Sequence, residues 1–360
     1  MKGSHLRRGL TRRVWLVAAL AWGLPMPAAA APSPLHRIVA VGDLHGDFAA
    51  WRDIARAAQL VNDAGRWIGG EAVLVQTGDA VDRGPDSLKI IQDLMRLQRE
   101  ADRAHGQVVA LVGNHEAMNL TGDLRYVSAG DYAAFVDSGS ARRRENVYAA
   151  NREAIEAAYR QHDPQMTDDA IKQAWYQATP LGSIEHRIAW APDGQIGRWI
   201  VSNPAVALLD GNLFVHGGIS PTYARLSIAE INRQMSAALT ARTTDPKAII
   251  NDPVGPLWYR GLATPNADAA QGQSAAADGT APAEPPVEDQ LQTLLTGYQA
   301  KRIVIGHTPI PSGIAVLYQG RLIRIDTAIS SVYGGKLSYL EILDGNPIPH
   351  TVERSTPLMK

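Results

Sequence analysis

The chain has no cysteine among its 360 residues. That excludes disulfides, thiolate metal sites and cysteine nucleophiles. It also lacks an excess of either charge: 35 Lys and Arg face 36 Asp and Glu, a formal net charge of −1. Nothing in that balance draws in nucleic acid or an anionic membrane over the whole surface, so any recognition of anions must be local. No internal repeat is visible, and no second domain of independent fold. The longest early apolar run, Val14 to Leu24, is too short to span a bilayer comfortably. What remains is a chain with 45% hydrophobic residues, enough to bury a large core in one big domain or two small ones.

The N-terminus reads as an export signal over residues 1–30, leaving a mature chain of 31–360. Lys2, Arg7, Arg8, Arg12 and Arg13 form a basic segment, Val14 to Leu24 an apolar one, and Ala28-Ala29-Ala30 offers small residues for cleavage. The expected location is periplasmic or secreted, with no membrane contact after cleavage; the competing reading is a retained anchor. Thr11-Arg12-Arg13-Val14-Trp15-Leu16 also resembles a twin-arginine signal, which would imply export after folding.

Beyond the signal the chain repeats one grammar. His36 to Val41 is a β-type run, Gly42-Asp43-Leu44-His45-Gly46-Asp47 a polar turn, and residues 48–60 a helix with Asp47 as its N-cap. Ala72 to Val75, then Gly78-Asp79-Ala80-Val81-Asp82-Arg83-Gly84, then the helical face of Ser87 to Arg99 repeat the order. Val108 to Val112 leads in the same way into Gly113-Asn114-His115-Glu116. Alternating strands and helices predict an α/β sheet with ligands outside the carboxyl ends of its strands. Residues 117–198 read instead as a helical insertion, with helices expected over 131–137, 145–161 and 167–177. Arg198 to Val201, Ala205 to Leu209 and Leu213 to Val215 are expected strands, the last ending in His216-Gly217-Gly218. Residues 224–242 are expected to be helical, and 263–287, rich in Ala, Pro, Gly, Gln and Asp, a mobile loop inside the domain. A helix over 291–299, a strand from Arg302 to Ile305 ending in Gly306-His307-Thr308-Pro309, and an antiparallel finish through 315–317, 322–325 and 337–342 complete the pattern.

Five polar turns thus follow five apolar strands, and four of the ten histidines sit in them: His45, His115, His216 and His307. One histidine after a strand is ordinarily a hydrogen-bonded core or surface residue. Four, each beside glycine or an Asp or Asn, point to a common site. Imidazole and carboxylate donors without thiolate suit Mn, Fe, Zn or a similar divalent ion, and one Asp shared between two ions would hold them about 3.5–4 Å apart. Such a pair polarises a phosphoryl oxygen and lowers the pKa of a bridging water, making hydroxide available near neutral pH, so no protein nucleophile is needed.

In order, GDLHGD, GDAVDRG, GNHE, VHGG and IGHTP resemble the signature blocks of calcineurin-like metallophosphoesterases, and more narrowly the phosphoprotein phosphatase family in its bacterial-type branch, the Shewanella-like protein phosphatases. The resemblance covers roughly residues 37–340. It implies a β-sandwich flanked by helices and two divalent metal ions. Asp43, His45 and Asp79 would hold the first, and Asp79 would bridge to a second completed by Asn114, His216 and His307. It implies that His115 protonates the leaving oxygen and Asp82 orients it; an imidazolium beside a carboxylate is a suitable donor for that step. Arg83 and Arg260, with Asn114, would grip the phosphate, a task that suits a planar fork. Asp47 and Glu116 are read as structural helix-start residues.

The chain departs from the eukaryotic Ser/Thr members in two places. Val112 stands where they place Arg, and Asp326 to Gly335 replaces their Ser-Ala-Pro-Asn-Tyr loop, so their toxin sensitivity and Ser/Thr preference do not carry over. Shewanella-like members tend to favour phosphotyrosine. The expectation is therefore a dinuclear-metal phosphomonoesterase acting on phosphorylated protein or peptide, phosphotyrosine first, by direct attack of hydroxide. Two alternatives stay open: a nucleotide or dinucleoside polyphosphate hydrolase of the same superfamily, and a non-catalytic periplasmic protein that binds metal or phosphate.

Overall fold

A computed structural model describes residues 37–264 and 285–355. The export-signal reading of residues 1–30 lies outside the described residues, as does nearly all of the 263–287 segment.

Strands β1 (Arg37–Val41), β2 (Val73–Gln76) and β3 (Gln107–Ala110) run parallel, with Ile38 opposite Val73 and Val73 opposite Gln107. Their side chains are covered on both faces, which is why they read as continuous apolar runs without alternation. β4 (Val206–Leu209), β5 (Asn212–Val215), β6 (Arg302–Ile305), β7 (Ala315–Leu317) and β8 (Leu322–Arg324) form a second sheet of order β4-β5-β6-β8-β7. In it β5, β6 and β8 are parallel and the two edge strands antiparallel. β9 (Leu337–Leu343) and β10 (Asn346–Val352) return to the first sheet, giving the order β10-β9-β1-β2-β3.

The sheets pack face to face, and the two-residue period of a strand divides its residues between two cores. Ile38, Ala40, Val75, Val109, Phe214, Val304, Ile323 and Leu340 meet in one apolar cluster between the sheets. Val39, Val41, Leu74 and Val108 turn the other way, onto the helices. Helix α1 (Phe48–Ala57) starts at Asp47, whose carboxylate accepts the Ala50 N–H at 2.9 Å, and buries Trp51, Ile54 and Ala55. Helix α2 (Ser87–Arg103) buries Ile90, Ile91, Leu94 and Leu97 at helical spacing. The Trp51 indole donates to Asp93 at 2.9 Å and ties the two helices together.

Helix α3 (Asn114–Thr121) follows β3 and ends at Gly122, whose φ of 96° is a left-handed stop. Six helices then run without a strand: α4 (Ala129–Ala133), α5 (Ser140–Ala150), α6 (Arg152–His162), α7 (Asp168–Ala178), α8 (Ser183–Trp190) and α9 (Gln195–Ser202). Helix α10 (Ile228–Ala241) leads toward the aromatic segment near Trp258, and α11 (Val287–Gly297) precedes β6.

Three local expectations need correction. Arg198 to Val201 is not a strand: it lies in α9, where Ile196 and Ile200 are buried one turn apart. A four-residue apolar run fits a strand or one buried turn of helix equally well, and tertiary packing decides. The single helix expected over 145–161 is two helices, α5 and α6, broken at Asn151. β10 was not foreseen because Pro347 and Pro349 argue against a strand, yet it is the outer edge of its sheet, where a missing N–H is tolerated.

Register is what makes a site out of this frame. Val41 pairs with Gln76 and Gln76 with Ala110; Val215 pairs with Ile305 and Ile305 with Arg324. The last residues of six parallel strands are thus level. The turns that follow them emerge along one edge of the sandwich.

Candidate functional site

The turns at this edge are bound to one another through their backbones. The N–H groups of Leu44 and His45 both donate to Asp79 O at 3.0 Å, and Gly46 N–H donates to Ala80 O at 3.0 Å. The turns approach so closely that a Cβ on Gly46 would lie 2.5 Å from Gly84 O, and one on Gly78, at φ 92°, 2.6 Å from Gly113 N. Only glycine fits either place. His45, Asp79, Asp82, Arg83 and His307 all have positive φ, between 41° and 71°. Each such conformation costs on the order of 1–3 kcal/mol in a non-glycine residue and persists only where its surroundings enforce it.

Glu116 supplies part of that enforcement. Its carboxylate accepts the N–H groups of Gly113 at 2.8 Å and of Asp79 and Ala80 at 2.9 Å each. It is therefore the fastener between the β2 and β3 turns, a structural residue as expected. Asp47 is likewise structural, and besides capping α1 it accepts the Ser331 N–H at 2.7 Å. That bond, with Ser330 Oγ donating to His45 O at 3.2 Å, draws the 326–335 loop over the first turn.

Every residue expected at the site lies at this edge. Asp79 is central: its Oδ2 is 3.3 Å from His216 Nε2, 3.8 Å from His45 Nε2 and 3.9 Å from His115 Nε2. Two His/Asp triads share it, His45-Asp79-His115 and Asp79-His216-His307, and within each the candidate donor atoms are all within 4.8 Å of one another. Asn114 Oδ1 lies 2.9 Å from His216 Nε2. Asp43 lies outside both triads; its two oxygens face the His307 N–H at 3.2 and 3.1 Å. Arg260 donates through Nη1 to His307 O and Thr308 Oγ1, each at 3.0 Å.

The histidines are arranged to present Nε2. His45 and His216 direct Nδ1 to the carbonyls of Val81 and Thr77 at 3.1 and 2.9 Å. A ring whose Nδ1–H is so engaged keeps its Nε2 lone pair for another partner. At His216 that lone pair meets only the oxygens of Asn114 and Asp79, which are acceptors too. Among the described residues the buried Nε2 of His307 has no hydrogen-bond partner. Acceptors converging on acceptors, with an orphaned imidazole nitrogen beside them, fit a divalent cation among these residues.

Electrostatics agree. Burial, then Asp326 and Asp79, pushes the Asp43 carboxyl well above its ordinary range. Burial would do the same to Asp79, but His216, His115 and His45 outweigh it and hold that group well below. Burial, with His216 and Arg260, drives His307 well below the usual imidazole value. His115 goes the other way: burial opposes its charge, but Asp79 and Asp82 outweigh burial and raise it. Its Nδ1 sits 2.6 Å from Asp82 Oδ2, whose other oxygen accepts from Asn119 Nδ2 at 2.8 Å.

The site opens into a cavity of about 740 Å³. His45, Asp79, Arg83, Asn114, His115, Arg260 and His307 line its floor, and Tyr126, Trp258 and Tyr333 stand around it. Several lining residues were not among the expected site residues, Asp326, Tyr126 and Tyr333 among them. Asp326 follows β8 by the same strand-then-acid grammar as Asp43 and was legible on that ground; burial raises its carboxyl to about 6. Tyr126 and Tyr333 lie on connecting loops, where no periodicity marks them.

Residues 36–311 match the family described as calcineurin-like phosphoesterase. An uncharacterized protein of Schizosaccharomyces pombe is 31% identical over 315 residues, 85% of this chain and 76% of the relative. Shewanella-like protein phosphatase 2 of Arabidopsis thaliana is 30% identical over 304 residues, 82% of this chain and 71% of the relative. Among solved structures, a cold-active protein-tyrosine phosphatase of a psychrophilic Shewanella aligns with a TM-score of 0.62 at 23% identity, covering 89% of this chain and 81% of that one.

Proposed function

The chain belongs to the calcineurin-like phosphoesterase family, and from that premise we propose that it is a phosphomonoesterase with two divalent ions, acting on phosphorylated protein and on phosphotyrosine first. Divalent ions held around Asp79 by Asp43, His45, Asn114, His216 and His307 would polarise the phosphoryl group and supply hydroxide near neutral pH. The remaining work falls to the chain's own side chains.

The observation that carries the reading is the His115–Asp82 contact of 2.6 Å at the cavity floor. As the ester bond breaks, the leaving oxygen needs a proton, and an imidazolium held against a carboxylate can give one. A protein that only bound metal or phosphate would need no such donor. Arg83 and Arg260 both line the cavity; their planar forks suit the phosphoryl oxygens. Asp43, Asp79, Asn114, His45, His216 and His307 remain the proposed metal set. An aryl leaving group is favoured by the aromatic surround of Tyr126, Trp258 and Tyr333.

The test uses metal-loaded full chain with phosphotyrosine peptide, phosphoserine peptide, dinucleoside tetraphosphate and mononucleotide side by side. Phosphotyrosine peptide should show the highest kcat/KM; a preference for the dinucleotide would move the protein to the alternative substrate class. His115→Asn should lower kcat about 10²–10⁴-fold with metal content retained, and unchanged kcat would remove the proton-donor role. Export to the periplasm or medium is proposed from the sequence of residues 1–30. If replacing both Arg12 and Arg13 by Lys leaves export intact, the twin-arginine route is wrong.

A further inference from the structure

Among the described residues, Arg83 has no counterion. The acids of its own turn, Asp79 and Asp82, face histidines, and among the described residues no carboxylate pairs with the guanidinium. Its buried Nε has no hydrogen-bond partner. What lies against the guanidinium is the ring of Tyr126, 3.8 Å from its carbon, with the Tyr333 ring more distant at 5.9 Å. Tyr126 also meets Arg83 through the backbone, where its carbonyl accepts the Arg83 N–H at 3.0 Å. The same ring is 5.0 Å from that of His115.

We propose that Tyr126 is a positioning residue for Arg83, its ring face holding the guanidinium over the cavity so that the N–H donors stay free for the phosphoryl oxygens of the substrate. The inference rests on the phosphomonoesterase reading and gives Tyr126 a role toward Arg83 beyond its place in the aromatic surround. A carboxylate partner would fix an arginine equally well, but it would occupy two donors and cancel the charge. An aromatic face restrains the planar cation from one side and leaves its edge donors unused. The strain at Asp82 and Arg83, with φ of 70° and 71°, makes such support necessary, because neither residue favours that conformation alone. Tyr126 sits between α3 and α4, at the start of the helical run, so that run contributes to the site through this ring.

The test is a double-mutant cycle on metal-loaded full chain, read twice: inorganic phosphate binding by calorimetry, and KM and kcat for 4-nitrophenyl phosphate. Tyr126→Leu should weaken phosphate binding and raise KM about tenfold, with kcat changed less. Tyr126→Phe keeps the ring and should stay within about twofold of the parent. In an Arg83→Ala background Tyr126→Leu should cost nothing further in inorganic phosphate binding, which has no aryl group for the ring to contact. Equal losses in both backgrounds, or Phe as damaging as Leu, would overturn the proposal. Tyr126→Ala provides a second truncation should the Leu variant fold poorly. If the parent binds phosphate but hydrolyses no ester, the functional reading falls while the binding cycle still decides the role of Tyr126. If the parent does neither, both fall.

Discussion

The strand-end turns and the helices α5, α6 and α7 use charge in opposite ways. At the turns, Asp43, Asp79, Asp82 and Glu116 are buried with His45, His115, His216 and His307, all under 8% exposed. Along the helices, Arg152, Arg160 and Lys172 pair at the surface with Glu156, Asp168 and Glu145, and α6 buries no residue. Exposed pairs are worth roughly 0–1 kcal/mol each. Ionisable groups that are buried together cost far more than that unless something compensates them. The difference points to function: such a concentration of buried ionisable groups is characteristic of sites where a ligand or a reaction compensates them.

The comparison breaks if the buried side proves tolerant. Asp79→Asn should have the largest effect, lowering metal affinity at least about 100-fold, beyond the loss seen for residues that merely support a ligand, and activity with it. Metal analysis of the purified variant checks this. Arg83→Ala should retain metal and lower kcat/KM about 10- to 100-fold, the worth of charge-assisted hydrogen bonds to phosphate. Equal metal loss in both variants would refute the division of labour within that one turn.

A buried group in the helical region sharpens the contrast. His186 packs against Tyr132, Phe135 and Trp190 with its Nδ1 unpartnered, and burial, then Arg187, lowers its pKa to about 4. The folded state therefore favours neutral His186. Its contribution is fully present above the unfolded value near 6.5 and falls as pH drops from there toward 4. The loss should reach about 2 kcal/mol by pH 5. Urea denaturation of the parent and of His186→Phe at pH 7 and pH 5 isolates it: the parent should lose more stability than the variant, and parallel losses would count against the assignment. The smallest effect is expected from Arg152→Ala, which breaks exposed pairs to Glu156 and Asp168 and should change stability by under about 1 kcal/mol with activity untouched.

Legibility in the sequence follows the same divide. The turns were readable because each must supply a particular atom at the end of a buried strand, so glycine recurs with an acid or a histidine in a short span. Glu116 and Asp47 were readable as helix-start residues, although their bonds to neighbouring turns were not. Asp326 obeyed the turn grammar but stood alone, without histidine beside it. Tyr126 and Tyr333 act through ring faces that no spacing rule marks. α9 was mistaken for strand because Trp199-Ile200-Val201 is apolar at every position, and the break at Asn151 went unseen because surface helices carry a weak pattern.

The proposed hydrolysis of phosphomonoesters at this edge of the sandwich depends on divalent metal held around Asp79. The most direct measurement is turnover of an aryl phosphate by the full chain, stripped of metal by chelation and then reloaded with manganese, beside Asp79→Asn treated identically. Turnover should vanish after stripping, return on reloading, and fail to return in the variant. Turnover that survives stripping, or a variant that recovers like the parent, would contradict that dependence.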